Sequence, residues 1–132
     1  MRCLAIFLSL LFAPAAALGQ SQAPPHDLNG VWQTGARGGS WGYVRFAPCG
    51  PAFCGTLIGG GGANVQSQYF GTVLVTGMQW TGGEFAGGEL LDVENGRVYL
   101  SRMRFRGPDE LRVSGCVLGG LVCGGQTWRR VE

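Results

Sequence analysis

Few side chains in this 132-residue chain could carry chemistry, and their spacing limits what they could do. His26 is the single histidine, and it sits between Pro25 and Asp27. Acid–base work or activation of a nucleophile needs such a group held beside its partner by packed elements. A histidine in a proline-rich polar stretch is expected to be solvated, so neither a Ser–His or Cys–His pair nor an HExxH-type zinc site is predicted. The carboxylate pairs that could act together are Asp92 with Glu94 and Glu84 with Glu89. Strand alternation would put Asp92 and Glu94 on one face if their strand continued. Glu94, however, precedes Asn95-Gly96, where a solvated hairpin end is the simpler account. The run Gly59–Gly62 is not a phosphate loop, because no Gly-Lys-Ser/Thr follows and no helical pattern opens behind it. The chain is read as non-enzymatic, with no cofactor.

The cysteines carry more information. Beyond Cys3 there are four, Cys49, Cys54, Cys116 and Cys123, the even number of a disulfide framework in an exported domain. Gly50-Pro51 forms a turn between Cys49 and Cys54. The second pair frames a palindrome, Cys116-Val117-Leu118-Gly119-Gly120-Leu121-Val122-Cys123. Folding it at Gly119-Gly120 pairs Leu118 with Leu121, Val117 with Val122 and Cys116 with Cys123, and a two-residue glycine turn suits that register. Loops this short gain about 2 kcal/mol each from chain entropy. The alternative is a four-cysteine metal site, but neither pair has zinc-knuckle spacing and exported thiols oxidise.

Export is argued by the first nineteen residues. Met1-Arg2 is a short positive start, Leu4 to Phe12 is a compact apolar run, and Ala15-Ala16-Ala17-Leu18-Gly19 supplies small residues for cleavage before Gln20, or after Ala17. The run is too short to span a bilayer, which takes about 20 apolar residues. The expected division is a signal peptide at 1–19, a flexible leader at 20–28 and one domain at 29–132. That leaves a periplasmic or secreted protein with no membrane span after cleavage. All ten basic residues are arginines against eight acids, and nine remain once Arg2 is removed. No basic face or acidic tail stands out, so no nucleic-acid partner is expected.

The elements that position these groups must be strands. Twenty-five glycines arrive too often for a helix, since each interior one costs up to about 1 kcal/mol against alanine. Apolar residues come in short runs bounded by turn formers. The expected strands are 30–34, 41–46, 54–58, 72–76, 78–80, 88–93, 97–105, 110–117 and 121–131, the last broken near Gly124-Gly125. Asn95-Gly96 and Gly107-Pro108-Asp109 supply turns. Residues 59–71 are expected to be a mobile loop.

The motifs Gly30-Val31-Trp32, Pro48-Cys49-Gly50, Cys54-Gly55 and Trp80 with Gly82-Gly83 resemble an exported bacterial family catalogued as domain of unknown function 2147. So do Asn95-Gly96-Arg97-Val98-Tyr99, Leu111 to Cys116, and Gln126-Thr127-Trp128-Arg129-Arg130-Val131. Together they cover nearly the whole domain. Members of that family usually carry an Asp- and Asn-rich segment after the Cys-Gly strand. Here 59–71 has no acidic residue, so a ligand or ion held through that segment is not carried over to this chain. The resemblance implies an all-β fold, a small antiparallel lipocalin-like β-barrel of about eight or nine short strands. In such a barrel Gly30-x-Trp32 would open the first strand, and Arg129 or Arg130 would stack over the Trp32 indole to close the base. The alternative is a plain core tryptophan with solvent-facing arginines.

Binding is the function the remaining residues suggest. Trp41 with Tyr43, Trp80 and Tyr99 are candidates to line an apolar cavity for a small apolar or amphipathic ligand. The rival is a filled core, with the surface engaging an envelope protein. Arg102, Arg104 and Arg106 alternate on one strand face and could meet an anionic envelope component.

Overall fold

Glycine breaks every apolar run before it reaches helical length, and the chain resolves into strands. The computed structural model describes Leu11 and residues 23–132, so the signal-peptide expectation lies, apart from Leu11, outside the described residues. The eight strands are β1 (Gly30–Gln33), β2 (Ser40–Cys49), β3 (Ala52–Gly62), β4 (Val73–Trp80), β5 (Phe85–Leu91), β6 (Val98–Gly107), β7 (Glu110–Val117) and β8 (Val122–Arg130). Each pairs antiparallel with the next, and β1 pairs back with β8, so the meander closes into a barrel. The lipocalin-like all-β barrel expected from the sequence is the fold observed, at the lower of the two strand counts. Among the described residues no helix is long and apolar enough to cross a membrane.

Four local expectations need correction. The glycine run at 59–62 is strand, not loop: it pairs in register with Ser40–Tyr43 along β2. The physical reason lies across the ladder, where Trp41 faces Gly61 and Tyr43 faces Gly59. A Cβ at Gly61 would stand 2.7 Å from the Trp41 ring, so the aromatics lie over bare backbone and supply the packing that glycine lacks. Second, the two strands expected at 72–76 and 78–80 are one, Val73–Trp80, bent at Gly77 by a positive φ of 69°. Third, Gly124-Gly125 is no break, because both residues pair in register with Gly115 and Ser114.

The fourth correction concerns the leader. Its last residues are packed rather than flexible. Leu28 is only 2% exposed, its carbonyl accepts a hydrogen bond from Trp32 Nε1 at 3.0 Å, and the His26 ring meets Phe105 edge-on at 5.2 Å. This short segment therefore caps one end of the barrel, here called the base. His26 belongs to the fold at that end.

An eight-stranded barrel has an interior just wide enough for side chains or one small ligand, and this one does both. Toward the base the inward positions are large. Trp32, Phe46, Met78, Phe85 and Met103 are all buried, and Phe85 touches Phe53, Trp80 and Phe105 edge-on, with ring centroids 5.1–5.8 Å apart. Burial of each such side chain contributes about 1.5–3 kcal/mol. Both cysteine pairs form disulfides, Cys49–Cys54 at the base turn and Cys116–Cys123 at the opposite end. The palindrome folds in the expected register at its cysteines and valines, Cys116 pairing with Cys123 and Val117 with Val122. Leu118 and Leu121 lie beyond the ladder, Leu118 with a φ of 54°. Gly119 and Gly120 take positive φ, and the Leu121 N–H donates to the Leu118 carbonyl at 3.3 Å.

Candidate functional site

Above the aromatic floor the inward positions shrink. Inward-facing Gly42, Gly115 and Gly124 are among the residues around a cavity of about 600 Å³, open at the end away from the leader. A Cβ at Gly124 would meet nothing within 4 Å, whereas Leu57 packs over Gly42 and Tyr99 over Gly115. Its wall is mostly apolar, with Leu57 on β3, Leu74 on β4, Leu90 on β5, Tyr99 on β6, Val113 on β7 and Trp128 on β8. Polar groups enter sparingly. Gln126 Oε1 accepts from Trp128 Nε1 at 3.1 Å, and Thr34 Oγ1 accepts the Gly42 N–H at 2.9 Å. The result is an apolar cup with a few fixed polar atoms, the usual composition of a small-molecule site.

Four loops form the mouth. The β3–β4 loop contributes Val65, Tyr69 and Phe70, and the β7–β8 hairpin contributes Val117 and Val122. The other two loops meet. Arg37, between β1 and β2, places Nη1 3.2 Å from Asp92 Oδ2, between β5 and β6. Those hairpins lie four strands apart in a ring of eight, so the ion pair crosses the mouth. Asp92 is committed on its other oxygen too, since Oδ1 accepts the Glu94 N–H at 2.9 Å. The Arg37 turn is braced from a third side, where Asn64 Nδ2 donates to the Gly38 carbonyl at 3.1 Å and its N–H donates to Ser40 Oγ at 3.0 Å.

The four aromatics proposed for a cavity divide. Trp41 and Tyr99 are among the lining residues. Tyr43 lies between inward-facing Gly42 and buried Val44, so it faces away, with its hydroxyl 3.4 Å from Trp41 Nε1. Trp80 packs on Phe85 in the base cluster. Neither Tyr43 nor Trp80 lines the cup.

The base closure involves one arginine of the two. Arg130 sets its guanidinium 4.3 Å over the Trp32 ring and donates from Nη1 to the Asn29 carbonyl at 2.8 Å, from Nε to the Pro108 carbonyl at 3.2 Å, and from Nη2 to the Asp27 carbonyl. Arg129 faces outward and pairs with Glu110 at 3.5 Å.

One member of each carboxylate pair is held by arginine. Asp92 is tied to Arg37 and to its own turn, while Glu84 pairs with Arg104 at 3.3 Å and Arg102 at 3.9 Å. Among the described residues no three His, Cys, Asp or Glu side chains gather as a metal site would require.

The features that sequence reasoning missed are the Arg37–Asp92 crossing and the lip residues Tyr69 and Phe70. Two aromatics in a stretch with no other strand character were the available signal. The crossing had none, because it joins turns 55 residues apart.

Comparison with known proteins agrees with the fold. Residues 30–130 match the family described as an uncharacterized protein conserved in bacteria (DUF2147). No curated protein matches the chain. Among solved structures the barrel is similar to protein HP1028 from the human pathogen Helicobacter pylori, which belongs to the lipocalin family. The TM-score is 0.65 at 17% identity, over 80% of this chain and 84% of that one. At that identity the likeness concerns the fold.

Proposed function

We propose, for a chain that belongs to the uncharacterized bacterial family DUF2147, that the barrel is a periplasmic, non-enzymatic protein that binds one small apolar or amphipathic molecule in its cup. The observation that carries this reading is the cavity itself. About 600 Å³ of largely apolar space falls in the range of sites that enclose small organic ligands, roughly 300–1,000 Å³. The lipocalin-like fold is consistent with it. The two disulfides fit an oxidising compartment, and the signal-like first nineteen residues support the periplasm in particular.

An apolar tail would lie against Leu57, Leu74, Leu90 and Val113, with its polar end near Arg37, Asp92 and Glu94 at the mouth. Absence of catalysis is part of the proposal, supported by the engagement of Asp92 on both oxygens. The rival, an envelope-protein interaction module with a filled barrel, has the packed base in its favour but leaves the open half of the interior without a role.

The test is native mass spectrometry of the protein purified from its own periplasm, with displacement of an apolar fluorescent probe as a second readout. A retained small molecule, released as the probe enters, is the expected result. If no adduct is found and no probe binds in the cup, the reading fails. The non-enzymatic clause fails separately if a hydrolytic activity is found that Asp92→Asn abolishes.

A further inference from the structure

The wall formed by β6 and β7 has a composition that the cup does not explain. The outward positions of β6, in order from the mouth toward the base, are Val98, Leu100, Arg102, Arg104 and Arg106. β7 adds Arg112, directly opposite Arg104 in the ladder. Like charges facing across a strand pair destabilise it, so folding alone gives no reason for that juxtaposition. Glu84 is shared between Arg102 and Arg104, and Glu110 is taken by Arg129. Among the described residues neither Arg106 nor Arg112 has an ion-pair partner.

At the mouth end of this wall stands the β7–β8 tip. Leu118 is 72% exposed and Leu121 is 86% exposed, and the Cys116–Cys123 disulfide lies directly behind them. The Arg102 guanidinium lies against the same tip, 3.3 Å from where a Cβ on Gly120 would be. Arginines alone would suit any polyanion. Two projecting leucines beside them suit a medium that is anionic at its surface and apolar just beneath.

We propose that the β6–β7 wall and its tip dock on an anionic phospholipid bilayer. Leu118 and Leu121 enter the acyl boundary, and Arg102, Arg104, Arg106 and Arg112 lie at the lipid phosphates. Val117 and Val122 both flank the tip and line the cup, so docking brings the mouth to the lipid. Only that last consequence, loading of the cup from the membrane, rests on the ligand reading.

The test is flotation of the natively processed protein with vesicles of phosphatidylcholine alone, and with about one quarter phosphatidylglycerol added. Binding to the anionic vesicles only, weakened by salt, is expected. Arg112→Gln should lower it roughly fivefold, the effect of one basic residue near a charged surface. Arg45→Gln, an exposed arginine on β2 across the barrel, should leave it unchanged. Leu118→Ser with Leu121→Ser should weaken binding while its salt dependence persists. Intact disulfides and an unchanged tryptophan spectrum would show that each variant folds. No binding to anionic vesicles, equal losses for Arg45→Gln and Arg112→Gln, or salt-sensitive binding to a DNA duplex in place of vesicles would each overturn the proposal. Loss of docking with a ligand still retained in the cup would leave the binding function standing.

Discussion

Arg130 concentrates more interactions than any other charged side chain at the base. One planar guanidinium reaches three backbone carbonyls and covers the Trp32 ring, and Nε adds Asp109 at 3.3 Å. The carbonyls belong to the segment ahead of β1 and to the β6–β7 turn, so one residue joins the capping segment to the barrel. Lysine cannot reproduce a fork of this kind. Arg130→Lys is expected to cost about 2–4 kcal/mol, given roughly 1.5–3 for each charged hydrogen bond and 0.5–2 for the ring contact. Urea unfolding followed by tryptophan fluorescence measures it, and Arg129→Lys, at an exposed pair, should change stability by less than about 1 kcal/mol. Both arginines are visible in the sequence as partners for Trp32, but the sequence does not say which one stacks. The missing fact is strand parity: Trp128 faces inward, so Arg130 shares its side and Arg129 does not. His26 departs from expectation for a related reason. Proline and polar neighbours suggest solvent, whereas its packing is decided by Phe105, distant in sequence.

At the scale of elements, strand positions are legible where apolar residues alternate and obscure where glycine replaces them. The run at 59–62 lacks every local mark of a strand, because its packing comes from Trp41 and Tyr43 on the neighbouring strand. Gly61→Val should therefore displace the Trp41 ring and destabilise the barrel by about 1–3 kcal/mol. Trp41→Ala in the same chain should recover part of that loss, and a double-mutant cycle measures the coupling. Additive effects would mean that the two residues do not pack on each other. The palindromic hairpin is the opposite case. Symmetry about Gly119-Gly120 and the placing of two cysteines specify both register and disulfide within eight consecutive residues. Replacing Cys116 and Cys123 together by serine should cost about 2 kcal/mol on the chain-entropy account of a short closed loop. The loss should appear first as faster amide exchange at the hairpin end of β7 and β8, with the base strands following only on global unfolding.

For the molecule as a whole, the interior has two storeys, and the difference between them is one of side-chain size. The base fills the barrel with aromatics and methionines. In the upper half glycine stands at the inward positions 42, 115 and 124; Leu57 and Tyr99 lie over the first two, and Gly124 faces open space. Composition announces many glycines without saying which ones face inward, so it leaves both a cup and a filled core open, and register decides by assigning the faces. The division makes a contrast that a uniformly packed barrel would not show. Gly124 lines the cup, and a Cβ there meets nothing within 4 Å. Gly124→Trp should thus enter open space at little cost in stability, within about 1 kcal/mol, and occupy volume a ligand would need. Val44 is fully buried at the base, and Val44→Phe should overpack it at about 1–3 kcal/mol. Thermal unfolding orders the two variants, and probe titration then separates stability from binding. Gly124→Trp should melt near the parent temperature yet take up the apolar probe poorly, whereas Val44→Phe should melt lower but retain probe affinity while folded. If Gly124→Trp binds the probe as the parent does, the ligand does not occupy the mouth of the cup and the site must be sought deeper, against Leu57 and Trp128.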